Sequence, residues 1–158
     1  MTSMESALAH PHAIGIELPP GRARVDGYGD SKALSDELLA LIRSGQMRAG
    51  TGLIWAHEFE NEPIAQPGDI GIVVDHAGVP SIVTRIVSVD VVPYAQVSAE
   101  YAAIEGEGDG SLAYWREAHW DYFSRECERI GRVPNDNMMV VCNVFEVLQL
   151  LPEPPGAT

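Results

Sequence analysis

The stretch that decides the fold is the glycine-spaced acidic run Glu105-Gly106-Glu107-Gly108-Asp109-Gly110-Ser111, together with the helix pattern that follows it. Alternating acids and glycines make a tight polar loop, and Ser111 stands where a helix N-cap is expected. The pattern predicts a helix from about 111 to 130, ended by Gly131. One apolar stripe runs along this helix and contains Leu112, Trp115, His119, Phe123, Cys127 and Ile130.

Two charged residues, Arg116 and Glu126, fall inside the arc of that stripe on a helical wheel. Burial of an unpaired charge costs several kcal/mol, so buried charges are paired or line a ligand site. We therefore expect both side chains to be largely buried and to contact each other or neighbouring polar groups. The wheel leaves open whether this is an internal ion pair or part of a pocket.

Outside this stretch, the sequence predicts one more helix and several short strands. The spacing of Leu34, Leu38 and Leu41 predicts that helix, capped by Asp30 or Ser31 and ended by Gly45. Strands are predicted at 53–55, 69–74, 81–92 and 138–148, the last apolar on both faces and therefore central. Two helices and about five or six strands in this irregular order predict an α+β domain or a small barrel, not a βαβ repeat.

The chain of 158 residues has the length of one domain. We expect a flexible N-terminal arm at 1–27, the folded domain at 28–151 and a disordered tail at 152–158. No apolar run approaches the ~18 residues of a membrane span, so no membrane partner is expected. The first residues lack a secretory signal and the two cysteines are too few for a disulfide scaffold, which together favour the cytoplasm.

The charge of the protein restricts its ligands. Ten basic residues against 23 acidic ones give a net charge of −13, and Lys32 is the single lysine. Proteins that hold duplex DNA need clustered basic residues, so duplex DNA is not an expected partner. An anionic ligand would need a local pocket, and four of the nine arginines lie between Arg116 and Arg132. The acidic balance also suits a protein-interaction module.

The acidic loop does not predict a metal site. Glu105, Glu107 and Asp109 imitate the first half of a calcium loop, but the twelfth position, which needs a carboxylate, is Arg116. The histidines have no zinc-ligand spacing. We therefore expect neither metal nor cofactor. The loop is either a solvated segment before a helix or a means of turning one glutamate inward as a general acid or base.

The run Ala103–Trp120, preceded by Tyr28-Gly29-Asp30-Ser31 and Val91-Val92-Pro93-Tyr94, resembles the bacterial ASCH-domain proteins over residues 27–148. The resemblance implies a PUA-like small mixed β-barrel of about five or six strands with flanking α-helices, a fold associated with RNA. Members of that superfamily include ribonucleases that cut single-stranded RNA and small amidohydrolases that deacetylate N4-acetylcytidine.

The family site joins a Gly-x-Lys-x-x-Thr segment to a glutamate from the loop before the second helix. The resemblance implies Glu107 as that glutamate, with Glu105 and Asp109 facing solvent. The lysine and threonine positions hold Met47 and Gly50, which offer neither an amine nor a hydroxyl group.

Arg48 and Thr51 repeat the Lys-x-x-Thr separation one residue later. Arginine holds phosphate well but is a poor base, because it stays protonated.

Three hypotheses follow, and the sequence leaves all three open. The first is a cleft that binds single-stranded RNA or a nucleoside or nucleotide, through ligand-binding residues Arg48, Thr51, Arg85, Arg116, Trp120, Ser124 and Arg125. The second is an active hydrolase, either a ribonuclease or an N4-acetylcytidine amidohydrolase, with Glu107 as general acid/base. In this hypothesis a divalent ion could assist through Glu105, Glu107 or Asp109. The third is a protein-interaction module. A homodimer is compatible with each.

Overall fold

The computed structural model describes residues 18–152. Its helices are α1 (Lys32–Ser44), α2 (Ile54–Glu60), α3 (Ala99–Glu105) and α4 (Leu112–Ile130), with a 3-10 turn at Tyr94–Gln96. Its strands are β1 (Ala23–Gly27), β2 (Ala49–Leu53), β3 (Ile70–Val74), β4 (Pro80–Pro93) and β5 (Met139–Leu150). Among residues 18–152, no helix is long and apolar enough to cross a membrane.

The five strands form one mixed sheet in the order β1-β3-β4-β5-β2, which curls into a half-barrel. β1 pairs with β3 in parallel, whereas the other neighbours are antiparallel. Register shifts in β4, between Val83 and Thr84 and between Ile86 and Ser88, bend the long β4–β5 ladder. The predicted α+β class with a small barrel-like sheet is confirmed.

The core consists of two main apolar clusters. α4 contributes Trp115, Phe123 and Cys127 to one cluster, which also contains residues of β5 and α3. α1 contributes Leu38 and Ile42 to the other, against β3, β4 and β5. Burial of a large apolar side chain is worth about 1.5–3 kcal/mol, so these two helices hold the curled sheet from both sides.

Both long helices begin and end where their sequence signals are. Ser31 Oγ accepts a hydrogen bond from Leu34 N, and Gly45 ends α1 in the left-handed conformation. Ser111 Oγ accepts one from Tyr114 N, and α4 ends before Gly131. The predictions of these helices and of the strands β3, β4 and β5 are confirmed to within two residues.

Four elements of the structure were not predicted: β1, β2, α2 and α3. The predicted strand at 53–55 is wrong, because Leu53 ends β2 and Ile54 begins α2. β2 itself, Ala-Gly-Thr-Gly-Leu, has little intrinsic strand preference and depends on its pairing with β5. α3 was not foreseen. β1 lies inside the segment predicted as an arm, while the rest of that segment up to residue 17, and the tail from residue 153, lie outside the described residues.

The predicted contact between Arg116 and Glu126 is wrong. The Arg116 side chain is exposed, and Glu126 bonds Arg129 on its own helix, with Nε and Oε2 3.0 Å apart. The buried residues of α4 are spaced four apart, from Trp115 to Cys127, so the stripe is narrower than the wheel assumed. A charged residue at the edge of such an arc reaches solvent.

Candidate functional site

A cleft of about 630 Å³ opens between β1, β2, α1 and α4. This volume lies within the range of roughly 300–1,000 Å³ that is usual for small-molecule sites. Its polar lining includes Tyr28, Thr51, Glu105, Glu107, His119 and Asn143. The cleft therefore combines the acidic loop, the edge strand β2 and the buried face of α4.

Glu105 is the buried carboxyl group of this site. It is the last residue of α3 and only 2% exposed. Its Oε1 accepts hydrogen bonds from Thr51 Oγ1 and Trp115 Nε1, both at 2.7 Å. Its Oε2 lies 3.0 Å from His119 Nε2. The expectation that Glu105 faces solvent is therefore wrong, and its three partners suit an ionised carboxylate.

His119 is the positive partner of that carboxylate. Its Nδ1 lies 2.9 Å from the carbonyl oxygen of Trp115, so Nδ1 donates a proton there. The contact between His119 Nε2 and Glu105 then needs a second proton. Burial lowers the pKa of His119, but the charge of Glu105 and its hydrogen bond outweigh burial and raise that pKa. The ring also stacks on Trp115, with centroids 4.1 Å apart.

The loop turns at Gly106, and this turn separates the two glutamates. Gly106 has φ = 71°, and a Cβ there would lie 2.2 Å from the carbonyl oxygen of Gln46. Gln46 Nε2 in turn donates to the carbonyl oxygen of Gly106 at 2.8 Å. Glycine is therefore required both by conformation and by close approach. The turn leaves Glu105 inside and brings Glu107 to the wall of the cleft.

Glu107 is partly buried at the cleft wall, and no hydrogen bond holds its carboxyl group within residues 18–152. Burial raises the pKa of Glu107 to about 7; the nearby His119 opposes this, while the charges of Glu105 and Glu37 add to it. Asp109, by contrast, is exposed and accepts a hydrogen bond from Ser111 N. Glu107 is thus the group of the loop that can exchange a proton with a ligand.

Within the described part of the chain, one set of side chains could hold a metal ion. Glu105, Glu107 and His119 each offer one ligand atom, and these atoms lie within 4.8 Å of one another. A metal ion there would have to displace the proton between His119 and Glu105. The protein's own donors satisfy Glu105 without a metal ion.

The family has a lysine and a threonine at two positions of this site, where this chain has Met47 and Gly50. Met47 is 1% exposed, belongs to the core and lines the inner wall of the cleft. A Cβ at Gly50 would lie 2.9 Å from Cε1 of Tyr28, so the tyrosine ring fills the space of a side chain there. The hydroxyl group that contacts the buried carboxylate belongs to Thr51, one residue later.

The structure separates most of the predicted ligand-binding residues. Thr51, Glu107 and Arg125 line the cleft. The predicted residues outside its lining are Arg48, Arg85, Arg116, Trp120 and Ser124.

Three of the predicted arginines have partners on the protein itself. Arg48 Nη1 donates to the carbonyl oxygens of Ile42 and Met47, and Arg85 forms an ion pair with Glu146 on the sheet. Arg125 Nε lies 2.6 Å from Asp30 Oδ2. The predicted convergence of arginines in the cleft is therefore wrong: Arg48, Arg85 and Arg116 lie outside its lining, and Arg125 is paired with Asp30.

Sequence reasoning missed Tyr28, Glu105, His119 and Asn143 as site residues. His119 was assigned to the apolar stripe of the helix. This predicted its burial correctly but gave no indication of its contact with Glu105. Glu105 could have been found only by predicting α3, since its side chain is buried as the last residue of that helix.

Sequence and fold both relate the chain to known proteins. The ASCH domain family profile matches residues 25–149. The crystal structure of an ASCH domain from Lactobacillus crispatus JV V101 is 35% identical, with a TM-score of 0.73 over 80% of this chain and 79% of that chain. Protein EF3133 from Enterococcus faecalis V583 is 28% identical, with a TM-score of 0.72 over 85% of this chain and 80% of that chain. No curated protein matches the chain. The chain belongs to the ASCH domain family.

Proposed function

We propose that the cleft binds a small substrate without phosphate and hydrolyses an amide bond in it, with Glu107 as the general acid/base. The observation that carries the proposal is the carboxyl group of Glu107, partly buried at the cleft wall, with a pKa of about 7. A proton-transfer group works best when its pKa lies near the working pH. The resemblance to amidohydrolases of the superfamily supplies the reaction class.

In this mechanism Glu107 acts first as base and then as acid. Its carboxylate accepts a proton from water while the water oxygen attacks the amide carbon. It then gives that proton to the departing nitrogen as the C–N bond breaks, which releases a carboxylic acid and an amine. Proton transfer of this kind contributes about 10²–10⁴-fold to the rate. The His119–Glu105 pair beside it keeps its own proton and fixes the local charge.

The arginines at the cleft support a substrate without phosphate. Arg24 Nε lies 2.9 Å from Asp26 Oδ1, and Arg129 bonds both Glu60 and Glu126. A phosphate group would have to displace these carboxylates, and the remaining acids would repel it. Binding of single-stranded RNA or a nucleotide is the alternative, and the experiment below includes both.

The test measures acetate release from N4-acetylcytidine, its 5′-monophosphate and N-acetylputrescine, together with cleavage and binding of a single-stranded RNA. We expect release from a phosphate-free amide, at least about 10²-fold slower in Glu107→Gln. Glu117→Gln, an exposed acid on α4 outside the cleft, is the matched control and should not change the rate. Native rates in Glu107→Gln, or action on RNA alone, would contradict the proposal.

A further inference from the structure

We propose that the hydroxyl group of Tyr28 is a ligand-binding and catalytic group of the cleft, which donates a hydrogen bond to the carbonyl oxygen of the amide that is cut. The inference goes beyond the proposed function by adding a second group to the reaction, and it rests on that function for the chemistry. The binding role stands on the position of the hydroxyl group alone.

Amide hydrolysis in this cleft needs a hydrogen-bond donor besides the acid–base group. When water attacks the amide carbon, negative charge develops on the carbonyl oxygen, and a preorganised donor stabilises that charge. Ionised Glu105 only accepts hydrogen bonds, and Glu107 accepts the proton of the water. Both ring nitrogens of His119 are already occupied, by the carbonyl oxygen of Trp115 and by Glu105. The donor therefore has to come from another part of the cleft.

Tyr28 reaches from one edge of the curled sheet to the other. It directly follows β1, and β1 and β2 are the two edge strands. Its ring packs on Phe145, with centroids 6.3 Å apart. A Cβ at Gly50 on β2 would lie 2.9 Å from Cε1 of the tyrosine and 3.4 Å from its hydroxyl oxygen. Packing therefore fixes the ring, and the glycine leaves room for the hydroxyl group beside β2.

Three hydroxyl groups lie around Gly50. Those of Thr51 and Tyr101 donate to oxygen atoms of the protein. No group within residues 18–152 bonds the hydroxyl of Tyr28, and the only closed-off, unpartnered side-chain oxygen in that range is Asn143 Oδ1. The Tyr28 hydroxyl is therefore accessible, and Tyr28 lines the cleft. It is the hydroxyl group beside Gly50 that remains available to a ligand.

The surroundings of Tyr28 keep its hydroxyl group neutral. Burial, followed by the charges of Asp26 and Glu105, raises the pKa of Tyr28 well above its ordinary value. The phenol then keeps its proton at neutral pH and can donate it in a hydrogen bond. A carbonyl oxygen only accepts hydrogen bonds, so it is the matching group on an amide ligand.

The test measures kcat and KM for acetate release from N4-acetylcytidine and N-acetylputrescine by the full chain and by Tyr28→Phe. We expect kcat to fall about 10²-fold and the affinity by less than about 10-fold, because the hydrogen bond strengthens as charge develops on the oxygen. The unfolding temperature should not change, since the hydroxyl group bonds no group within residues 18–152. A structural role would instead lower the unfolding temperature and leave kcat unchanged.

Two further variants serve as controls. Tyr94→Phe removes a hydroxyl group outside the cleft that donates to the carbonyl oxygen of Arg116, so it should lower the unfolding temperature and leave kcat unchanged. Tyr122→Phe removes a hydroxyl group from the α4 wall of the same cleft. A loss of kcat in Tyr122→Phe but not in Tyr28→Phe would overturn the inference.

Calorimetric titration separates this inference from the proposed function. Each amide is compared with the amine it releases, which lacks the acetyl carbonyl oxygen. Binding without hydrolysis of any amide would refute the proposed function. Weaker binding of the amide, but not of the amine, by Tyr28→Phe would then still support the inference. Native kcat and native amide affinity in Tyr28→Phe would overturn it and leave the proposed function standing. If the native chain binds neither amide, both are refuted.

Discussion

Glu105 Oε2 and His119 Nε2 lie 3.0 Å apart, and both side chains are buried at the inner end of the cleft. Thr51 and Trp115 donate to the other carboxylate oxygen, so this charge is held by three donors. The pair is neutral as a whole, yet its carboxylate still repels the charge of Glu107 next to it. Burial is therefore the main cause of the raised pKa of Glu107, and the His119–Glu105 pair acts on it with two opposing charges.

Removal of the buried carboxylate charge should destabilise the fold strongly. In Glu105→Gln, His119 loses its counter-charge and one of the three donors loses its acceptor, so we expect a loss of about 3–5 kcal/mol. Urea unfolding at pH 6 measures this. Glu117→Gln, an exposed change of the same type, should remain within about 0.5 kcal/mol of the native chain. Equal unfolding midpoints for the two variants would refute a buried ion pair.

Stability should fall as the pH rises, because of Glu107. Its carboxyl group has an ordinary pKa of 4.5 in the unfolded chain and about 7 in the folded protein. The folded state therefore binds the proton more tightly, and the free energy of unfolding decreases between about pH 4.5 and pH 7.

Glu107→Gln keeps a neutral side chain at every pH. We expect it to be more stable than the native chain by about 1–3 kcal/mol at pH 8 and equal to it at pH 4. Unfolding curves at the two pH values check this, and a variant less stable than the native chain at pH 8 would contradict it. A gain in stability with a loss of function is the expected pattern for a strained site.

Restoring a threonine at position 50 should cost stability. In Gly50→Thr the new Cβ would meet the Tyr28 ring at 2.9 Å, and overpacking of this kind costs about 1–3 kcal/mol. In a Tyr28→Ala background the same change should cost less, because the ring is gone. Thermal unfolding of the four chains gives the coupling, and strictly additive effects would show that the two residues do not compete for space.

Arg116→Met should be almost neutral. The side chain is exposed on α4, and the contact of this residue with Tyr94 is made by its backbone carbonyl oxygen. We expect a change within about 0.5 kcal/mol and no change in ligand affinity. A large loss in either measurement would support the buried arginine that the helical wheel predicted.

The sequence was sufficient for the elements whose signals are local. Ser31 and Gly45 delimit α1, and Ser111 and Gly131 delimit α4, because caps act within one turn of the helix. The long strand β4 was also predicted, at 81–92, close to its observed bounds. β2 could not be predicted from the sequence, because its two glycines do not favour a strand and its pairing with β5 fixes its register.

The site was less predictable because contacts between residues that are distant in sequence determine its geometry. The resemblance to the family implied that Glu107 faces the cleft and that Glu105 faces solvent. Instead Glu105 ends α3, and the left-handed turn at Gly106 changes the direction of the chain. Partners distant in sequence, such as Thr51 and Tyr28, then decide which oxygen atoms face the cleft.

The central claim is that Glu107 changes its protonation state near neutral pH at the wall of the cleft. Its side-chain carboxyl carbon, assigned in a ¹³C-labelled chain by the loss of its signal in Glu107→Gln, can be followed by NMR from pH 3 to pH 9. The account predicts a titration midpoint near pH 7. A midpoint near 4.5, the ordinary value of the glutamate side chain, would contradict it.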